Sequence, residues 1–454
     1  MEKQERSQML GSMPMGKLIP KVSVPIMISM LVQALYNIVD SVFVAKYDPN
    51  ALTAVSLAYP IQMLMVALAT GMGTGVGSLI SRRLGEKRRE EAIDAARNGI
   101  FLELLSSVLF MIIGVFFSRT FMGIFTPDAA LQELGTTYLT IVCTVSVGLF
   151  MSVVLERMMQ ATGNTTLSML TQLIGAVINI ILDPIMIFTM GMGVAGAAWA
   201  TVIGQIGGML LGLVLNQKKN VELKLSMKGF RPDMNAIRSI FAVGLPSTVM
   251  SAIGSVLNVL MNLLLIGYGN TAVSVMGVYY KLQSFVFMPV FGLSNGLVPV
   301  VGYNYGARIR KRVYSAIRVA LCYAGAIMLV GMVAFLLFPE ALMSIFESGD
   351  ASDLTTIGVV ALRTISLSFV PAAIGITLST VFQAVGKGSY SLIMSVCRQL
   401  VVLLPCAWIL SKLGGLDAIW WAWFIAEIAS VTICLFMFAK CNRTMLKPLG
   451  EERK

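Results

Sequence analysis

The chain has 454 residues, of which 57% are hydrophobic and only 13% charged, with a mean hydropathy of +0.81 and a formal net charge of +11. A soluble chain of this length would divide into two or three domains and carry far more charge. Long apolar runs with short polar breaks exclude a water-soluble enzyme, and the lack of ten-residue alternating strands excludes a porin-like barrel.

About 20 apolar residues carry a helix across the hydrocarbon core. Twelve runs meet that requirement, near 20–45, 52–80, 94–117, 134–161, 167–190, 194–216, 239–267, 272–301, 315–338, 355–384, 389–411 and 418–440. The first follows a polar stretch and is too long for a signal-peptide core, so no cleavage is expected. It carries Gln33, Tyr36, Asn37 and Asp40 at i, i+3, i+4 and i+7, one helical face. Polar side chains cannot face lipid cheaply, so this stripe should look into the bundle or a watery cavity.

Span two alternates Gly71, Gly73, Gly75 and Gly77, which in a membrane serve close helix packing. Glu156-Arg157, near the end of span four, are placed to lock the inner side. Span five sets Gly175, Asn179 and Asp183 on one face at steps of four, and Thr201 and Gln205 do the same on span six. Gly191, Gly193 and Gly196 surround the turn between those spans. The polar segment Asn216–Arg238 is a linker, and span seven again has a polar face with Ser247, Ser251, Ser255, Asn258 and Asn262. Lys281 beside Tyr279 and Tyr280, then Arg363, Arg398 and Glu427, are buried charges suited to structural pairing between helices. Trp420, Trp421 and Trp423 read as an interfacial aromatic belt. Prolines at 25, 184, 246, 289, 299, 371 and 405 are candidate bend points.

The basic residues give the orientation. Those of the N-terminus (Lys3, Arg6, Lys17, Lys21), of the segments after spans two, six, eight and ten, and of the C-terminus (Arg453 and Lys454 included) number 27 on one side. The other side holds only Lys46, Arg119 and Lys412. The positive-inside rule puts both termini in the cytoplasm with an even number of spans, and it explains the basic charge without nucleic acid. The six cysteines are scattered without paired spacing and read as packing residues. Histidine is absent, so any proton relay must use carboxylates. No phosphate-cradling loop, nucleophile elbow or HExxH motif is present, so no enzyme activity, cofactor or ATP-driven pumping is expected.

The chain repeats itself. At an offset of 221, Pro25 falls on Pro246, Asn37 on Asn258, Tyr59 on Tyr280, Gln62 on Gln283, Gly71 and Gly75 on Gly292 and Gly296, Gly85 on Gly306, and Arg97 on Arg318. At an offset of 223, Gln160-Ala161-Thr162-Gly163 meets Gln383-Ala384-Val385-Gly386. This predicts two six-helix halves related by an axis along the membrane normal, with the substrate path between them. The expected division is an N-lobe over 1–216, a linker over 217–238 and a C-lobe over 239–454.

Depth singles out one cluster. With the N-terminus inside, Asp40 lies about five residues, roughly 8 Å, below the outer end of span one. Asp183 and Thr201 lie about seven residues from the outer ends of their spans. Asp40, Asn179, Asp183 and Thr201 suit a sodium cage, and equally two interacting acids of which one holds a proton. The repeat replaces Asp40 by Met261 and Asp183 by Cys406, so the coupling ion is expected in the first half alone. Gln33, Tyr36 and Asn37, with Asn258 and Tyr280 of the second half, are the candidate substrate contacts. Two acids in that wall favour a lipophilic cation as cargo.

Tyr36-Asn37-Ile38-Val39-Asp40-Ser41-Val42-Phe43-Val44, Gln160-Ala161-Thr162-Gly163-Asn164 and Asn179-Ile180-Ile181-Leu182-Asp183-Pro184 resemble the multidrug and toxic compound extrusion (MATE) transporters, in particular their bacterial MepA-like and DinF-like branch. The resemblance covers essentially the full chain. It implies an all-α polytopic membrane protein of about twelve helices, with a V-shaped outward cavity between two lobes. It also implies alternating-access export of amphipathic, often cationic drugs against sodium or protons, with Asp40, Asn179, Asp183 and Thr201 as the N-lobe cation site. The sequence lacks the acid that another branch carries at the start of the second half, so a C-lobe cation site is not expected. The expected setting is a bacterial inner membrane, with lipid and small amphipathic drugs as partners and a monomeric carrier. The rivals are a lipid-linked precursor flippase of the same superfamily, which has about fourteen spans and a cationic cavity, and a non-transporting membrane receptor, for which no loop is long enough.

Overall fold

The computed structural model describes residues 7–346 and 352–450, without the side chains of Asn37, Ile38, Pro49, Ser352 and Asp353. Lys3, Arg6, Arg453 and Lys454 of the charge pattern, and the side chain of Asn37, lie outside that description. In chain order the helices are α1 (Ser7–Ser12), α2 (Met15–Tyr47), α3 (Pro49–Gly85), α4 (Arg89–Phe125), α5 (Ala129–Thr144), α6 (Val147–Ala161), α7 (Thr165–Pro184) and α8 (Val194–Lys219). There follow α9 (Met234–Leu265), α10 (Asn270–Gly306), α11 (Arg310–Leu337), α12 (Pro339–Ser344), α13 (Ser352–Ser366), α14 (Phe369–Ala384), α15 (Gly388–Val396), α16 (Leu404–Ile419) and α17 (Trp421–Cys441). Among the described residues there is no β-strand. Only helices satisfy every backbone group without water, and these sequences are apolar enough to stand in lipid.

Among the described residues, ten helical segments are each long and apolar enough to cross a membrane. Two bent pairs, α5 with α6 at 45° and α13 with α14 at 49°, bring the number to twelve. The breaks interrupt spans four and ten, which the sequence reading took as continuous. In α14, Pro371 has no N–H to give to the carbonyl of Leu367, so the ladder opens there and the Ser368 hydroxyl turns back to Ile365 O at 2.6 Å. The equivalent residue of α6 is Gly148, where a Cβ would come 3.0 Å from the Ile206 backbone nitrogen. One half breaks at a proline and the other where a glycine admits a neighbouring backbone.

The two sets of helices, α2 to α8 and α9 to α17, meet toward the face that carries the linker and the turns after α3, α6, α10 and α14. This basic face is sealed by glycines in matched pairs. A Cβ on Gly75 would lie 2.4 Å from Ile240 O, and one on Gly296 3.0 Å from Ser23 Cα. At the axis, Gly85 would meet Tyr303 O at 2.0 Å and Gly306 would meet Arg82 O at 2.1 Å. These are the glycines that repeat at 221, so duplication supplied both sides of one seam. Ser78 Oγ donates across it to Gln383 O at 2.7 Å.

Under the seam α1 is strapped to both sets. Asn304 Nδ2 and Arg312 Nη2 donate to Leu10 O at 2.9 and 3.0 Å, while Ser7 N donates to Glu222 Oε1 at 2.6 Å. Three apolar clusters fill most of the interior, one largely in the second half and two largely in the first, with polar groups such as Asp183, Glu103 and Asn304 buried among them. Trp420 and Trp423 belong to that core at 0% and 7% exposure, and Trp423 packs on Tyr279. The aromatic-belt reading therefore fails for both, and of the three only Trp421 faces outward. Tryptophan at the end of a span fits a headgroup layer and a helix interface equally well on sequence grounds.

Candidate functional site

α2 and α7 pack side by side in the first half and set the carboxyl groups of Asp40 and Asp183 against one another. Asp183 is fully buried, and Asn179 one turn before it donates from Nδ2 to Asp183 Oδ1 at 3.4 Å. Asp40 Oδ1, Asp183 Oδ2 and Asn179 Oδ1 are all buried and receive no hydrogen bond from the described residues. α7 ends at Pro184, after which the backbone widens into a π turn over Ile185–Thr189. The proline frees a carbonyl of the preceding turn and ends the regular ladder beside the acid.

α8 reaches this cluster because glycines let it. Gly204 presses on α7 so closely that a Cβ would meet Gly175 O at 2.6 Å and Asn179 Cβ at 3.2 Å. One turn back, Thr201 is 7% exposed and its hydroxyl donates to Ala197 O at 3.0 Å, which leaves its lone pairs as acceptors. Tyr138 and Gln62 join from α5 and α3, with Tyr138 OH donating to Gln62 Oε1 at 3.4 Å in the field of both acids. The sequence reading named neither as a site residue. Tyr138 carries no charge to mark it, and only a match in the repeat marked Gln62.

Two carboxyls in contact, ringed by acceptors, have too few donors to be ionised and bare together. Either a proton or an oxygen-seeking cation balances them. No cluster of three or more His, Cys, Asp or Glu occurs among the described residues, so a cation here would draw on amide and hydroxyl oxygens.

The halves enclose a separate cavity of about 500 Å³ above the glycine seam. Thr70 and Thr74 of α3, Arg157 of α6, Ser251 of α9, Asn295 of α10 and Gln383 of α14 line it, as do Arg398 and Gln399. The last two lie in the π turn over Cys397–Leu403 and continue the face that Met394 and Ser395 present from α15. No acid is in the lining; its charged side chains are Arg157 and Arg398. The expectation of an acidic wall is thereby corrected for this cavity: Asp40 and Asp183 meet each other between α2 and α7 and are not among its lining residues.

Gln33 and Asn258 stand exposed one turn beyond the lining residues Met30 and Gly254, while Tyr36 and Tyr280 are half-buried in their own halves. Tyr36 pairs with Gln33, and the Tyr280 ring lies 5.6 Å from that of Tyr279. These four do not line the cavity. The proposed inner lock divides: Arg157 reaches across to Asn295 Oδ1 at 3.0 Å, but Glu156 accepts from Gln172 in its own half. Arg398 pairs with Glu427 at 2.9 Å and Arg363 with Glu340 at 3.0 Å, while Lys281 lies over the Phe346 ring.

The family model described as MatE matches residues 25–185 and again 246–409. The chain is 27% identical over 426 residues to the multidrug export protein MepA of Staphylococcus aureus (strain MRSA252), covering 94% of each. It is 28% identical over 416 residues to the protein of the same name from Staphylococcus haemolyticus (strain JCSC1435), covering 91% of this chain and 90% of that one. A solved structure described as the outward-facing conformation of a multidrug resistance MATE family transporter superposes with a TM-score of 0.92 at 27% identity, over 98% of this chain and 100% of that one.

Proposed function

The chain belongs to the MatE family, and from that premise we propose that it is a multidrug exporter driven by exchange against protons or sodium at Asp40, Asn179, Asp183 and Thr201. Multidrug efflux transport of the MATE kind is what the family and the MepA relatives support, and no enzymatic chemistry is implied. The observation that carries the coupling site is the contact of two buried carboxyls whose outer oxygens lack donors. Such a pair binds a cation from the outer side and releases it when its surroundings change, which is what exchange requires.

In this reading 1–216 and 239–454 are lobes that rock about the seam, with 217–238 as the flexible tie and both termini in the cytoplasm. The seam is closed in the present structure, so the cavity opens away from the basic face, where Gln33, Tyr36, Asn37, Asn258 and Tyr280 would meet arriving or departing cargo. The alternative of a lipid-linked precursor flippase draws support from Arg157 and Arg398 in the lining, but the ten to twelve spans fall short of what that reading needs.

The test is transport in vesicles of the purified protein with imposed sodium or proton gradients. Export of a fluorescent amphiphile should follow one of the gradients and vanish in Asp40→Asn and Asp183→Asn. Gradient-independent movement, or gradient-driven export by both variants, removes the coupling assignment.

A further inference from the structure

We infer that Arg157 is an anion-recognising group at the floor of the cavity, so that this carrier selects amphipathic molecules bearing a carboxylate or similar oxyanion, alone or within a zwitterion. This rests on the exporter reading only in taking the cavity as the cargo site. It departs from the cation preference that the sequence implies.

The charge arrangement comes first. Arg157 and Arg398 both line the cavity and no acid does. Their acidic neighbours are set back from it: Glu427, 8% exposed, holds Arg398 from behind, and Glu156, also 8% exposed, is taken by Gln172. Each acid–base couple therefore turns its positive end to the cargo. The two arginines are not equivalent. Arg398 is neutralised by a direct ion pair at 2.9 Å, whereas among the described residues no carboxylate lies within ion-pair distance of Arg157.

The hydrogen-bond inventory gives Arg157 a free edge. Its Nη1 donates to two neutral acceptors, Gln160 Oε1 at 3.2 Å and Asn295 Oδ1 at 3.0 Å, one from each half. These bonds fix the plane of the guanidinium. Its Nε and Nη2 have no acceptor among the described residues, and neither is among the buried unsatisfied atoms. That edge is the fork that takes a carboxylate through two parallel bonds. Gly73 leaves the room it needs, since a Cβ there would lie 3.0 Å from Arg157 Cγ and 3.8 Å from Nε.

Much of the remaining polar lining is committed elsewhere. Thr70, Thr74 and Ser251 spend their hydroxyl protons on Val66 O, Thr70 O and Ser247 O, so they offer the cavity lone pairs. Gln399 Nε2 is used by Ser395. Gln383 and the remaining N–H groups of Arg398 can assist, but Arg398 already holds Glu427, so the guanidinium fork not neutralised by an acid is that of Arg157. A volume of about 500 Å³ suits a drug-sized molecule.

The experiment compares matched probes on the purified full-length protein in nanodiscs, without any gradient. Dansylglycine carries a carboxylate, and its amide keeps the same size and shape without the negative charge or the second acceptor oxygen. The wild type should bind dansylglycine at least about tenfold tighter than the amide, a ratio typical of a charge-assisted bidentate contact. Arg157→Gln should bring the ratio close to one with the amide affinity unchanged, and Arg157→Lys should keep part of it. Equal affinities in the wild type, tighter binding of the amide, or an undiminished ratio in folded Arg157→Gln each overturn the assignment. The wild-type comparison decides the matter even if Arg157→Gln does not fold. Because binding is read without a gradient, carboxylate selectivity in a protein that fails the vesicle test would refute the exporter and leave this subsite standing.

Discussion

Replacing Gly85 by alanine probes how the two halves are held together. The added methyl would lie 2.0 Å from Tyr303 O and 2.9 Å from Ala307 N, both backbone atoms that no rotamer change can move. Ordinary contact requires about 3.4 Å, so the seam must part by roughly 1.4 Å at that point. Overpacking of a closely fitted interface typically costs about 1–3 kcal/mol. If the strain is confined to the closed-seam state, the balance shifts by about 5- to 150-fold toward the state parted at the basic face. Gly306→Ala should do the same from the other half, where its methyl would meet Arg82 O at 2.1 Å. Gly16→Ala is the control, because nothing lies within 4 Å of a Cβ there. Spin labels at the exposed positions Glu90 of α4 and Lys311 of α11 report the separation by pulsed EPR in liposomes. A longer-distance population should grow in Gly85→Ala and Gly306→Ala but not in Gly16→Ala. Distributions identical to wild type in both seam variants, at normal expression, would refute the seam.

Asp40→Asn and Asp183→Asn should each abolish gradient-driven export while leaving the thermal melting of the detergent-solubilised protein within a few degrees of wild type. Glu427→Leu should destabilise by about 1–3 kcal/mol, because it leaves the partly exposed Arg398 guanidinium without its acceptor; Arg398→Met in the same chain should recover most of the loss, and failure to do so removes the pair from the stability argument. Arg312→Ala takes away the donors to Leu10 O and Met13 O, so limited proteolysis should cut the α1 region faster than in wild type. Cysteine crosslinks joining the halves across the rim opposite the basic face should stop export, and an unchanged rate would exclude rocking of the halves.

Much of the architecture could be read before any coordinates. A helix that must bury its backbone polar groups in hydrocarbon needs a long apolar run, so composition and length alone yield the spans, and the repeat shows up as residues recurring at 221 and 223. The acids Asp40 and Asp183 were legible for the same reason: an ionisable group at that depth is costly, and helical spacing tells which face it shares with Gln33, Tyr36 and Asn37 or with Asn179.

What lies between helices was not legible. The 45° break before α6 has no proline to announce it, because it arises from contact with α8 at Gly148. Arg157 and Arg398 read in sequence as structural charges, and their aim into the cavity depends on where Glu156 and Glu427 find their partners. Sequence periodicity specifies a face of one helix in isolation. Which neighbour that face meets, and therefore the sign of the charge a cavity presents, is set by distances of a few ångströms between backbones, which only the packed tertiary structure decides.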